Sequence, residues 1–136
     1  MRLFIDTNII VDIISKREGY EDSLRILKYC EIRQVNGVVS AMTVTDVMYI
    51  LRKHIAPEAV RDTVQTLLLI VDVADVLKSD ISSAFSSGIK DFEDAVQASC
   101  SLRIKADYIV TRNLKDFERA AVPAISPTAA LELIKK

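Results

Sequence analysis

Residues 91–117 read DFEDAVQASCSLRIKADYIVTRNLKDF, and the order of their parts decides the fold. DFEDAVQASCSLRIK has the spacing of an amphipathic helix, and ADYIVT (106–111) is a short apolar run of strand type. NLKDFERA (113–120) then predicts a turn followed by a short helix. A helix feeding a buried strand that ends in polar residues is one unit of an alternating α/β chain.

The same alternation extends outward in both directions. RLFI (2–5), NGVVSA (36–41) and IVDVAD (70–75) read as strands, and PAIS (123–126) as a brief extended segment. Between them, TNIIVDIIS (7–15), YEDSLRILKYCEIRQ (20–34), TVTDVMYILRKHI (43–55), PEAVRDTVQTLLL (57–69) and VLKSDISSAFSSG (76–88) read as helices. The second helix places Leu24, Leu27 and Ile32 inward, the fourth opens on proline at a favourable first position, and Gly88 closes the fifth. PTAALELIKK (127–136) is a terminal helix. Strands this rich in Val, Ile and Leu predict a mainly parallel sheet covered on both faces, an α/β chain of three α/β/α layers with four or five strands.

Composition narrows the function classes. At 136 residues the chain has the size of one domain, residues 1–136. Half its residues are hydrophobic, as in ordinary globular proteins, and a net charge of −1 supplies no global field for nucleic acid. Any such site is local. Asp6 and Asp12 interrupt the N-terminal apolar stretch, which argues against a secretory signal. The longest uninterrupted apolar run, Leu67–Val71, is far short of a membrane span, so a cytoplasmic protein with no membrane partner is expected. Cys30 and Cys100 lie far apart in apolar helical patterns and are expected to be reduced core thiols.

Polar and mostly acidic residues recur where strands end or helices begin. Asp6 follows RLFI; Ser40 follows the second strand, and Asp46 falls in the first turn of the helix after it. Asp91 and Asp94 share a face of the DFEDAVQA opening turn, and Thr111, Asn113 and Asp116 follow ADYIVT. The plain alternative is helix capping: Thr43/Asp46, Asp91/Asp94 and Asn113/Asp116 each have the cap-to-third-residue spacing. In an open parallel sheet, however, sites form beyond the carboxyl ends of the strands, where adjacent connections diverge. Two unit charges at about 4 Å repel by about 1 kcal/mol in water and roughly 4 kcal/mol at a partly screened site. Converging carboxylates must therefore take up protons or hold a cation, and an oxygen-only donor set suits Mg²⁺ or Mn²⁺.

Other chemistries lack their reagents. The single histidine, His54, lies in a basic RKH helix end; clustered Cys and His for zinc are absent, as are GxGxxG and GxxxxGK[ST] loops and a serine nucleophile elbow. A phosphoacceptor receiver needs a lysine after its last strand, which PAIS does not offer, and a haloacid-dehalogenase-type phosphatase needs an acid where Asn8 stands.

LFIDTNIIVDII, VSAMTVTDVMYIL and DFEDAVQASCSLRIKADYIVTRNLKDF together resemble, in order and over nearly the whole chain, a PIN domain, specifically the toxin component of VapC-type toxin–antitoxin pairs. The resemblance implies a PIN-like α/β/α fold and an Mg²⁺- or Mn²⁺-dependent endoribonuclease. It also implies an RNA substrate, a cognate antitoxin and a homodimer. By position it makes Asp6, Asp94, Asp46 and Asp116 the metal-binding and catalytic acids. Asn8, Ser40, Asp91, Thr111 and Asn113 are then supporting polar groups.

Two positions depart from the family pattern: Asp46, where glutamate is usual, and Asn113, where many members have a second aspartate. They leave open a noncatalytic PIN-like module that binds RNA or protein. Arg112, Lys115 and Arg17 are the leading phosphate-contact candidates, with Lys16, Arg52, Lys53 and Arg119 beside them. The TVTDVMYIL and PEAVRDTVQTLLL helices offer apolar stripes for a dimer or antitoxin surface, if they are not spent on the core.

Overall fold

The computed structural model describes residues 1–136. Its strands are β1 (Arg2–Ile5), β2 (Asn36–Ser40), β3 (Asp72–Ala74), β4 (Tyr108–Val110) and β5 (Ala124–Ile125). Its helices are α1 (Thr7–Ser15), α2 (Tyr20–Glu31), α3 (Ala41–Leu51), α4 (Pro57–Ile70), α5 (Lys78–Phe85), α6 (Phe92–Arg103) and α7 (Pro127–Lys135), with one 3-10 turn at Leu114–Phe117.

All five strands are parallel, in the order β3-β2-β1-β4-β5. Pleating divides β1 between two cores. Leu3 and Ile5 pack with Ile9, Ile26, Val47, Val64 and Leu131, from helices α1, α2, α3, α4 and α7. Phe4 points the other way, to Ala98 and Cys100 of α6 and to Phe117. These are the three layers expected, with the sheet parallel throughout. Both cysteines are free and buried, and burial pushes the Cys30 thiol up to about 11, which keeps it protonated. No helix is long and apolar enough to cross a membrane.

Several local expectations are corrected. Ile32 lies beyond the end of α2 and is 67% exposed, Leu24 is only half-buried, and Ile26 takes the core position instead. α3 begins at Ala41, not Thr43, because the Ser40 hydroxyl accepts the Thr43 N–H at 3.2 Å and caps the helix two residues earlier. Asp46 therefore stands in the second turn. α5 ends at Phe85, before Gly88, and Asn113 makes no side-chain cap bond.

β1 is the middle strand, and the chain leaves it toward β2 on one side while β4 flanks it on the other. That divergence opens a crevice beyond the carboxyl ends of β1, β2 and β4.

Candidate active site

Asp6 occupies the crevice. Its N–H donates to Val110 O at 3.0 Å, which continues the β1–β4 ladder by one residue before the backbone turns into α1. Asp6 holds the Ncap position of α1, yet its side chain makes no capping hydrogen bond. The carboxylate points elsewhere: the Thr111 hydroxyl donates to Oδ2 at 2.9 Å and the Gln97 amide to Oδ1 at 3.2 Å. The residue is only 2% exposed. Burial raises its pKa, and the bonds from Thr111 and Gln97, with the nearby N–H groups of Asn8 and Thr7, oppose that rise.

The other acids arrive from separate elements. Asp91 caps α6, its Oδ1 accepting the Asp94 N–H at 2.9 Å, and so sets the first turn from which Glu93 and Asp94 project. Asp46 comes from α3 and Asp116 from the 3-10 turn. Asp6, Asp46, Asp91, Glu93, Asp94 and Asp116, with Asn8, line one open cup of about 460 Å³. Capping and convergence are both true of Asp91 and Asp94; the two readings do not compete.

Electrostatics in the cup is that of unshielded like charge. Asp94 is raised to about 7, first by burial and then by the charges of Asp91, Asp6 and Asp116. Glu93 is pushed up to about 8, chiefly because it hydrogen-bonds Asp46, and further by burial and by the charges of Asp46, Asp91 and Asp94. Glu93 is thus largely protonated at neutral pH and hydrogen-bonded to Asp46. No three of these acids are gathered around one point, so the cup is a loose ring and not a closed cage.

The remaining residues divide. Thr111 is fully buried behind Asp6, and its Oγ1 also accepts the Asn113 N–H at 3.0 Å. Asn113 itself is not among the residues lining the cup. Ser40 lies behind the wall: its hydroxyl meets Thr43 Oγ1 at 3.3 Å, which in turn meets Thr7 Oγ1 at 2.8 Å. Arg112 and Arg17 are turned to the buried Asp12, at 3.2 Å and 3.5 Å. Arg52 and Lys53 lie over the Tyr49 ring, 4.1 Å and 4.8 Å from its centroid. Lys115 borders a second groove that shares Asp91, Asp94 and Asp116 with the cup.

Thr7, Tyr49, Ile50, Glu93 and Gln97 also line the cup and are not among the sequence candidates; Glu93 and Gln97 matter most to its chemistry. Glu93 was hidden by its neighbours in DFED. Gln97 sits one helical turn after Asp94, a spacing that places both on one face. Gln97 is buried, and its Oε1 has no hydrogen-bond partner, leaving a free acceptor in the wall.

Solved structures share this architecture. A chain of the VapBC2 complex from Rickettsia felis, bound to a DNA fragment from its promoter, superposes with a TM-score of 0.75 at 18% identity, covering 93% of this chain and 98% of that one. A chain of VapBC-1 from nontypeable Haemophilus influenzae gives 0.72 at 19% identity, covering 94% and 99%. Mycobacterium tuberculosis VapC20, a sarcin-ricin loop cleaving toxin, gives 0.61 at 13% identity, covering 79% and 86%. At these identities the likeness is one of fold. Among curated proteins no sequence match is found. The sequence itself matches the PIN domain family over residues 2–115, most of its length, and with the acids converging where the strands of the parallel sheet diverge, the chain belongs to the PIN domain family.

Proposed function

We propose that this protein is a divalent-metal-dependent endoribonuclease, the toxin component of a type II toxin–antitoxin pair. The observation that carries the reading is the cup: carboxylates from four separate elements share one small volume, and the most buried of them, Asp6, is held by two side-chain donors and does no capping. Membership of the PIN domain family and the fold shared with VapBC complexes and with a sarcin-ricin loop cleaving toxin support it.

The donor set fits a hard divalent ion, Mg²⁺ or Mn²⁺, since every polar side chain lining the cup carries an oxygen donor and none is a sulfur or imidazole ligand. Burial, and after it the charges of Asp91, Asp6 and Asp116, raise Asp94, and a cation in the cup would offset that charge repulsion. In this loose ring Asp6 and Asp94 would hold it with help from Asp46 or Asp116, and Asn8 and Glu93 stand beside them. When bound, the ion lowers the pKa of a water and offsets charge on the phosphoryl oxygens.

This chain's own residues do the rest. Thr111 and Gln97 fix the Asp6 carboxylate, so that one ligand is immobile before substrate arrives. Asp91 fixes the α6 turn that carries Asp94. Glu93, raised to about 8, hydrogen-bonds Asp46 at the rim of the same cup. The expected partners are the RNA substrate, a cognate antitoxin and a second copy of the chain. Exposed Met48 and Tyr49 border an apolar groove with Pro57 and Val60 on the α3–α4 face, which supports a protein-binding role there.

The test is cleavage of a structured RNA by the purified protein in Mn²⁺ or Mg²⁺, with EDTA and Asp6→Asn as controls; both abolish cutting on this reading. Cutting that survives Asp6→Asn overturns it. The loose ring of acids favours one alternative, a noncatalytic PIN-like module that binds RNA or protein. Calorimetry showing no Mn²⁺ binding selects that alternative.

A further inference from the structure

An acidic cup repels the polyanion it is meant to cut, so the strand must be held by cations outside it. The structure sorts the cations near the cup by what they already do. Arg17 and Arg112 share the one buried Asp12 carboxylate, which orients both guanidinium groups and offsets one of their two charges. Arg52 and Lys53 are laid on the face of Tyr49.

The groove adjoining the cup is different. It is about 690 Å³ in volume, shares Asp91, Asp94 and Asp116 with the cup, and is bordered by Lys90, Lys115 and Arg119. Those three exposed cations form no ion pair with any carboxylate, although acids line the same groove. Arg119 is also held in place by backbone: a Cβ at Gly88 would stand 3.2 Å from its guanidinium, so the loop between α5 and α6 packs directly on the side chain. Gly88 has φ +76°, a left-handed conformation that suits glycine, and this lets the loop turn there. Cations left without carboxylate partners beside an acidic reaction centre are the arrangement that takes successive phosphates of one strand. The volume falls in the range of small-ligand sites, about 300–1,000 Å³, which admits a short stretch of unpaired strand.

We propose that the groove between Gly88–Asp91 and Lys115–Arg119 is the entry track for single-stranded RNA, with Lys90, Lys115 and Arg119 binding the backbone phosphates next to the one in the cup. This rests on the ribonuclease reading and adds which side of the cup the strand occupies. The arginines paired with Asp12 stay structural and contribute nothing to RNA affinity.

Binding is separable from cleavage and tests the track directly. Fluorescence anisotropy with a labelled single-stranded oligoribonucleotide, in EDTA so that nothing is cut, is read as a function of salt for the wild type, K115Q/R119Q and R17Q. The double variant is expected to lose roughly tenfold in affinity and to lower the slope of log K against log salt by about 1.4, that is about 0.7 for each phosphate contact removed from a single strand. R17Q is expected to leave affinity and slope unchanged. Circular dichroism establishes that both variants fold.

An unchanged slope in folded K115Q/R119Q, or a loss in R17Q equal to that of the double variant, overturns the track. Wild-type protein that binds polyglutamate and not RNA overturns it as well, and assigns the groove to an acidic protein segment. Tight, Lys115-dependent RNA binding by a protein that cuts nothing in Mn²⁺ upholds the track and sinks only the nuclease reading.

Discussion

The hydroxyl of Thr111 donates to Asp6 Oδ2 at 2.9 Å across 105 residues of sequence, joining the carboxyl end of β4 to that of β1 at the floor of the cup. Neither residue is free to move, since both are buried and both continue the ladder of parallel strands. Removing that donor should loosen the ligand without removing its charge. Thr111→Val is expected to weaken Mn²⁺ binding by roughly 10–100-fold, the usual effect of losing an outer-shell partner, and Asp6→Asn by at least as much. Isothermal titration calorimetry checks both; a Thr111→Val protein with wild-type affinity contradicts the role given to the bond.

The pH dependence follows from the cup's raised acids. Asp94 titrates at about 7 and Glu93 at about 8 in the folded chain, above their ordinary values of 3.8 and 4.5. The folded state therefore holds protons that the unfolded state has already released, so stability falls as pH rises. Their contribution is fully present below about pH 4 and is lost by about pH 8. Metal-free protein should show a declining melting temperature across that window, Asp94→Asn should flatten the decline, and saturating Mn²⁺ should reverse it at the alkaline end. Differential scanning calorimetry at fixed ionic strength reads all three.

Asp80 behaves in the opposite sense. It lies in the first turn of α5, buried against α6, where burial alone would raise its pKa, but bonds from Arg103, the Leu77 N–H and Ser99 bring it below the ordinary value. Its stabilising effect is present above the unfolded pKa of about 3.9 and is lost as pH falls through the lower folded value. Asp80→Asn removes the partner of Arg103, 3.0 Å away, and one anchor of the α5 start. The expected loss lies toward the lower end of about 3–5 kcal/mol, because Arg103 keeps 31% of its side chain in solvent. Urea denaturation at pH 7 measures it.

β2 and α2 approach too closely at Gly37 for any side chain. A Cβ there would stand 2.6 Å from the buried Cys30 sulfur and 3.2 Å from Ile5. Gly37→Ala should cost about 1–3 kcal/mol by overpacking, and adding Cys30→Ala should recover part of that loss. A double-mutant cycle on thermal melts gives the coupling.

Much of this molecule was legible because period and strand-end chemistry are local properties. RLFI and ADYIVT are short, apolar and flanked by polar residues, and both became inner strands of a parallel sheet. Asp6 stood out as an acid immediately after a strand. What could not be read depended on contacts made at a distance. Asp46 was placed in a first turn because Thr43 resembles a cap, whereas Ser40 caps the helix and Thr43 packs on Thr7. Arg112 adjoins Thr111 in sequence, yet the partner that orients its guanidinium is Asp12, a residue a hundred positions away. Glu93 has no partner within DFED, and it is α3 that brings Asp46 against it. Neither pairing has a signature within either segment.

The place of β1 in the middle of the sheet makes the corner around Asp6 a long-range product of folding. The hydrogen bond from Thr111 spans 105 residues, and the pairing of Ile5 with Val110 that brings it within reach spans nearly as many. Contacts so distant in sequence carry a large loop-closure cost before they are rewarded. The pairing of β1 with β4 and the seating of the Asp6 carboxylate are therefore one event, and whatever loosens that side of the sheet unmakes the floor of the cup.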